Sequence, residues 1–128
     1  MAITEGLHGR SDMRVSDLDT AIALGSGDVP VLATPRALAL AEAATVAAVS
    51  AHLPEGATTV GTEVTLAHTA ASPVGTDVRA EARLRLVDGR RLVFDVTLDQ
   101  GGRAVATGTV ERVVVDRARF LTAASRPR

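Results

Sequence analysis

The sequence predicts an α+β protein in which an antiparallel five-stranded sheet curls around one long central helix. Three observations lead there. An almost uninterrupted apolar segment with helical boundaries runs from Thr34 to His52 in the first half of the chain. The second half switches to the two-residue period of strands with one buried face. A helix that is apolar around most of its circumference needs cover on more than one side, and a curled sheet supplies it.

The elements follow in order. Residues 1–14 are polar and contain glycine, with a first strand expected around Ser11–Val15. Ser16 or Asp17 is placed to cap a short helix that stops at Gly25. "GSGDVP" then reads as a loop able to move, because two glycines flank a serine. Thr34-Pro35 starts the long helix, with a hydroxyl at the N-cap and proline at the first helical position. Position 37 is Ala where a capping box would have Glu or Gln. Only Glu42, Thr45 and Ser50 are polar between Ala37 and Ala51, and "LPEG" ends the segment.

Strand periods take over after that. Val60, Val64, Leu66 and His68 share one face, and Val78, Ala80, Ala82, Leu84 and Leu86 share the next. "DG" at 88–89 predicts a tight hairpin into Leu92, Phe94, Val96 and Leu98. "QGG" makes the following turn, and Ala104, Ala106, Gly108 and Val110 begin a last strand running to about Val115. These four strands read as an antiparallel meander. A short helical turn around Ala118–Leu121 precedes the tail. One covered helix, four strands and an early fifth give the hot-dog arrangement, with another α+β sandwich as the competing architecture.

Composition bounds the function. The 128 residues are read as one domain, 1–128, large enough for a proper core. Aromatic residues are only 2% of the chain, so the core must be built from Ala, Val and Leu. All basic residues are Arg and the net charge is −1, which offers no electrostatic footprint for nucleic acid or an anionic membrane. The absence of Cys excludes disulfides, zinc-thiolate sites and a cysteine nucleophile. No apolar run reaches the ~18 residues of a membrane span, and no basic segment followed by an apolar stretch opens the chain. A soluble, cytoplasmic protein without a metal site is expected.

Three ionisable residues fall on faces that should be apolar. Glu42 shares a helical stripe with Leu38, Val46 and Val49. His68 has the parity of Val64 and Leu66, and Arg112 that of Val110 and Val114, provided that no bulge resets the register. An unpaired buried charge costs several kcal/mol, so these groups must pair or share a polar cleft. They form either a structural network, with Glu42 satisfied by His68 or Arg112, or a site. An acid, an imidazole and a nearby hydroxyl together can activate water, move a proton and attack a carbonyl. No G-x-S-x-G elbow, P-loop or dinucleotide fingerprint is present. His8 and His52 lie in a polar stretch and at a helix end, and neither is assigned a role.

"LGSGDVPVLATPRALALAEAA", "VGTEVTLAHTAASPVG" and "GTVERVVVD", in this order and spacing, resemble the fluoroacetyl-CoA thioesterase-like family of hot-dog proteins. The resemblance covers roughly residues 12 to 120. It implies catalytic roles for Thr34, Glu42 and His68, a backbone contact near the thioester at Gly61, and a substrate-binding Arg112. It also implies a homodimer with each active site at the interface, an arrangement that allows the helix and the catalytic strand to come from different chains. No cofactor is implied beyond the coenzyme A that the substrate carries. A phenyl gate before the catalytic threonine is missing, because the only Phe residues are Phe94 and Phe120. The expected activity is therefore hydrolysis of a small or medium acyl-CoA thioester, not necessarily fluoroacetyl-specific. The alternatives are a non-catalytic acyl or acyl-CoA binding module and a hot-dog hydratase or dehydratase. The latter commonly pairs an Asp and a His close in sequence, and no such pair lies near Glu42.

Overall fold

The computed structural model describes residues 2–127; Met1 and Arg128, the ends of the expected domain, lie outside the described residues. Strand β1 spans His8–Arg14, and a 3-10 turn at Asp17–Asp19 leads to the short helix α1, Ala21–Leu24. The long helix α2 covers Thr34–Val49 and tightens into a 3-10 turn at Ser50–His52. Strands β2 (Ala57–His68), β3 (Asp77–Asp88), β4 (Arg91–Gln100) and β5 (Arg103–Asp116) follow, and α3 (Arg117–Ala124) closes the described chain. All strand pairings are antiparallel, in the order β1-β3-β4-β5-β2. With α2 lying across the curled sheet, this is the hot-dog architecture expected from the sequence.

Two expectations about topology and boundaries are corrected. The simple four-strand meander does not form: β3-β4-β5 run as one, whereas β2 crosses to pair with β5 and β1 takes its place beside β3. That leaves β2 as a twelve-residue edge strand. The short helix before Gly25 is two pieces. Ser16 caps the 3-10 turn in a reciprocal box with Asp19, and Thr20 caps α1 by accepting from the Ala23 N–H at 3.2 Å. Gly25 does stop α1, at a φ of 69° that an L side chain resists.

The core is aliphatic, as the composition required. Leu32, Leu40, Leu84, Leu92, Phe94, Val96, Leu98 and Val110 are almost fully enclosed between α2 and the sheet, each contributing roughly 1.5–3 kcal/mol by leaving water. Helix α2 turns Ala37, Leu40, Ala41, Ala44, Thr45 and Ala48 inward, and the small side chains let it lie close to the strands. Its approach is closest over Gly9, where a β-carbon would sit 2.7 Å from the Ala44 carbonyl oxygen and 2.8 Å from the Ala47 carbonyl carbon.

Three bulges reset the strand parities. One between Gly61 and Glu63 reverses the first half of β2, so Val60 does not share the inward face of Val64. Another between Leu84 and Leu86 brings Val87, in place of the expected Leu86, against the core. A third at Leu98–Asp99 inserts Val105, which is buried, while Ala104 is exposed. An extra residue swaps the faces of everything beyond it.

Candidate active site

Thr34 sits at the start of α2 because its lead-in is pinned from two sides. Ala21 N–H donates to the Val31 carbonyl and Ala33 N–H to the Asp19 carbonyl, both at 2.9 Å. On the other flank Leu32 N–H donates to the Ser72 carbonyl at 2.9 Å, and Val31 bridges to Pro73. An ion pair of Arg36 with Asp19 at 3.1 Å adds a lateral tie. This lead-in therefore lies against the segment that leaves the end of β2, four residues beyond His68.

The expected role of Thr34 as N-cap is not what forms. Ala33 is the N-cap residue, with no side-chain cap, and Thr34 is already helical. Its hydroxyl instead meets His68 Nδ1 at 2.9 Å. A proline in the first turn supplies no N–H to cap, which leaves the threonine hydroxyl free for another partner. His68 Nε2 is buried without a hydrogen-bonding partner, and burial holds the imidazole below its ordinary pKa of 6.5. A neutral ring with Nδ1 as acceptor is poised to take the Thr34 proton.

Glu42 forms the second half. Arg112, on β5 and only 7% exposed, donates from Nη1 to Glu42 Oε2 at 2.9 Å. The rest of the guanidinium is held by Thr59, with Nε donating to its hydroxyl at 2.9 Å and Nη2 to its carbonyl at 3.1 Å. Gly61 faces Arg112 across the β2–β5 pair, and a β-carbon there would press into Glu42 Oε2. The glycine is what lets the carboxylate lie flat on the strand. Leu38 and Val46, the neighbours of Glu42 on its stripe, are half-buried and exposed respectively, while Val49 is buried. The stripe thus runs along the rim of the core, where a carboxylate can be both anchored and reached by water.

Of the two structural partners open to Glu42, it takes Arg112. The five expected residues form two linked groups, Thr34–His68 and Glu42–Arg112–Gly61. Both pairings are made within one chain, so helix and strand need not come from different subunits to form them. Thr34 and Glu42 are eight residues apart on the same helical face, about 12 Å along the axis. Thr59 was missed. Its signal was present, since it stands two residues before Gly61 on the same face, but the parity argument had turned Val60 inward in its place. Neither His8 nor His52 hydrogen-bonds to either group.

Comparison with known proteins adds to this geometry. The family model described as fluoroacetyl-CoA-specific thioesterase matches residues 15–118. The curated fluoroacetyl-CoA thioesterase of Streptantibioticus cattleyicolor is 39% identical over 90 residues, which is 70% of this chain. The match spans 65% of that relative's length. The solved structure of the fluoroacetyl-CoA thioesterase FlK is 32% identical, with a TM-score of 0.89 and 98% of each chain covered. A hot-dog-like protein from Thermanaerovibrio acidaminovorans is 27% identical, with a TM-score of 0.84 over 97% of this chain and 94% of its own.

Proposed function

This chain belongs to the fluoroacetyl-CoA-specific thioesterase family, and on that premise we propose that it is an acyl-CoA thioesterase, residues 1–128 forming one catalytic domain. The observation that carries the reading is the 2.9 Å contact between the Thr34 hydroxyl and His68 Nδ1, a nucleophile and base held together at the mouth of a helix. The Thr34 oxygen attacks the thioester carbonyl as His68 takes its proton. The C–S bond breaks, the thiolate leaves with that proton, and water then releases the acyl group from Thr34. Because Glu42 of the same chain lies about 12 Å along the helix from Thr34, the Glu42 that serves as acid–base partner for the water is that of a second copy, oriented there by its Arg112. Backbone N–H groups beside Gly61 of that second copy are the donors for the carbonyl oxygen.

The acyl group need not be fluoroacetyl. The residues leading into Thr34 are Pro30, Val31, Leu32 and Ala33, with Leu32 and Ala33 buried. Phe94 is fully enclosed in the core and Phe120 lies on α3. No phenyl ring borders the threonine. We read the working unit as a homodimer. The free edge of β2 offers unpaired backbone groups to a second copy, and the half-open stripe of Leu38, Glu42 and Val46 borders that edge.

The test is release of free thiol from a panel of short and medium acyl-CoAs. Glu42→Gln, His68→Ala and Thr34→Ala should each lower the rate by on the order of 10² or more. Unchanged rates in all three variants overturn the assignment of the site. A monomer by light scattering at assay concentration overturns the dimer.

A further inference from the structure

We propose that Asp19 is a positioning residue for the Thr34–His68 pair. Acting through Arg36, its carboxylate fixes the rotation of the first turn of α2 and so aims the Thr34 hydroxyl at His68 Nδ1. The inference rests on the thioesterase reading above for its catalytic consequence, and on geometry alone for the contact that Asp19 preserves.

The need for such a tie follows from how α2 begins. Its N-cap residue, Ala33, makes no side-chain cap, and no acidic residue stands in the first turn. Pro35 brings no N–H. The backbone bonds that pin the lead-in end at Ala33, whose N–H donates to the Asp19 carbonyl. Beyond it, two side-chain bonds among the described residues join the first turn to other elements. One is Thr34 to His68, and the other is Arg36 Nε donating to Asp19 Oδ1 at 3.1 Å. Positions two residues apart are separated by about 200° around a helix, so these bonds lie on roughly opposite sides of the axis. One tie alone lets the turn swivel, whereas opposed ties hold it.

Asp19 is itself held in place. Its Oδ2 accepts from the Ser16 N–H at 2.8 Å and from the Ser16 hydroxyl at 2.9 Å, which leaves Oδ1 to Arg36. Ser16 follows the core residue Val15, whose N–H donates to the Thr76 carbonyl and whose carbonyl accepts from the Gly75 N–H. A continuous line of bonds thus runs from the core through Ser16 and Asp19 to the catalytic helix. Burial pushes the Asp19 carboxyl up, but the hydrogen bonds from Ser16 and Arg36 outweigh it and hold the group below its ordinary pKa of 3.8. The carboxylate is therefore charged at neutral pH.

That charge matters as much as the contact. A cation in the first turn opposes the helix macrodipole, and Arg36 would be disfavoured there without an acid beside it. Asp19 offsets that charge and supplies, from another element, the negative group that the first turn of α2 lacks. Its side chain is 17% exposed and that of Arg36 33%. Among the described residues only the Arg112–Glu42 pair is comparably sheltered. Ion pairs open to water contribute little, whereas a sheltered one keeps its geometry.

The experiment follows the ring nitrogens of His68 by nitrogen NMR at a pH above 6.5, where the buried ring is neutral. The native full chain is compared with Asp19→Asn, Arg36→Gln and Thr34→Ala. In the first two variants the Nδ1 resonance should move toward its position in Thr34→Ala. Thiol release from an acyl-CoA should then show kcat lowered by on the order of tenfold in either variant, with KM held within about twofold. The double variant should be no slower than the single ones. Neither substitution should cost anything further in a Thr34→Ala background, whereas a merely structural role would cost the same in both. Arg36→Gln leaves the Ser16 and Ala33 bonds to Asp19 in place, and it carries the test if Asp19→Asn does not fold. An unmoved Nδ1 resonance, an unchanged kcat, or an undiminished penalty without Thr34 overturns the proposal. A moved resonance in a chain whose native form hydrolyses no acyl-CoA would instead refute the thioesterase reading and leave the aiming of Thr34 by Asp19 standing.

Discussion

Replacing Gly61 by alanine should disable the Glu42 half of the site without touching any ionisable group. The added methyl would lie 3.4 Å from Arg112 Nη1 and 3.5 Å from Glu42 Cδ, and inside contact distance of Glu42 Oε2. The strand is fixed by its pairing with β5, so the carboxylate must give way. Restoring ordinary contact requires Oε2 to retreat by about 1 Å. The 2.9 Å bond from Arg112 then stretches beyond about 3.5 Å, where it no longer counts as a hydrogen bond. Losing a charge-assisted hydrogen bond costs about 1.5–3 kcal/mol. The Glu42 side chain is 33% exposed and can turn to water, which places the cost near the lower end, about 1.5 kcal/mol. The melting temperature should drop by roughly 4–8 °C. A catalytic group displaced by 1 Å costs on the order of 10²-fold in rate, so kcat/KM should fall by about that factor. Thiol-release kinetics on Gly61→Ala, Glu42→Ala and the double variant separate the causes. If the methyl acts by displacing the carboxylate, its penalty nearly vanishes when Glu42 is already alanine. The residue 61 N–H survives the substitution. A penalty of equal size in both backgrounds therefore refutes the reasoning, as do wild-type kinetics and stability in Gly61→Ala.

Thr34→Ala should abolish most of the activity while lowering stability by no more than about 1 kcal/mol, because Thr34 makes no capping bond and loses only its exposed hydrogen bond to His68; a loss of about 2 kcal/mol or more in denaturant unfolding contradicts that. The lowered pKa of His68, caused by its burial, means that the unfolded chain takes up this proton first as pH falls. Stability from the neutral ring is complete above 6.5 and declines below it, and activity that needs the neutral base fades over an acid limb whose midpoint lies below 6.5. A kcat/KM profile with its midpoint above 6.5, or one left unchanged by His68→Gln, counts against His68 as the base. Thr59→Val should strand Arg112 Nε, costing about 1–2 kcal/mol and lowering kcat more than it raises KM. Thr59→Ser should restore both, and an equal loss in serine points to packing in place of the hydroxyl.

The sequence by itself determined the long helix, the strand periods and the glycine turns, because each is written in local spacing. It also marked Glu42, His68 and Arg112, since an ionisable residue on an apolar face is visible as a break in the period. Which partner each would take was a tertiary decision. The bulge after Gly61 reversed the start of β2, turned Thr59 toward Arg112 and removed Val60 from the inner face. A single inserted residue leaves the composition of a strand unchanged, so no local pattern announces it. The crossing of β2 to β5 likewise depends on what the whole sheet can cover. Thr34 shows the same division most plainly. Its neighbour Pro35 fixed where the helix begins, whereas its hydroxyl found His68 only because the chain before it is clamped between Asp19 and Ser72.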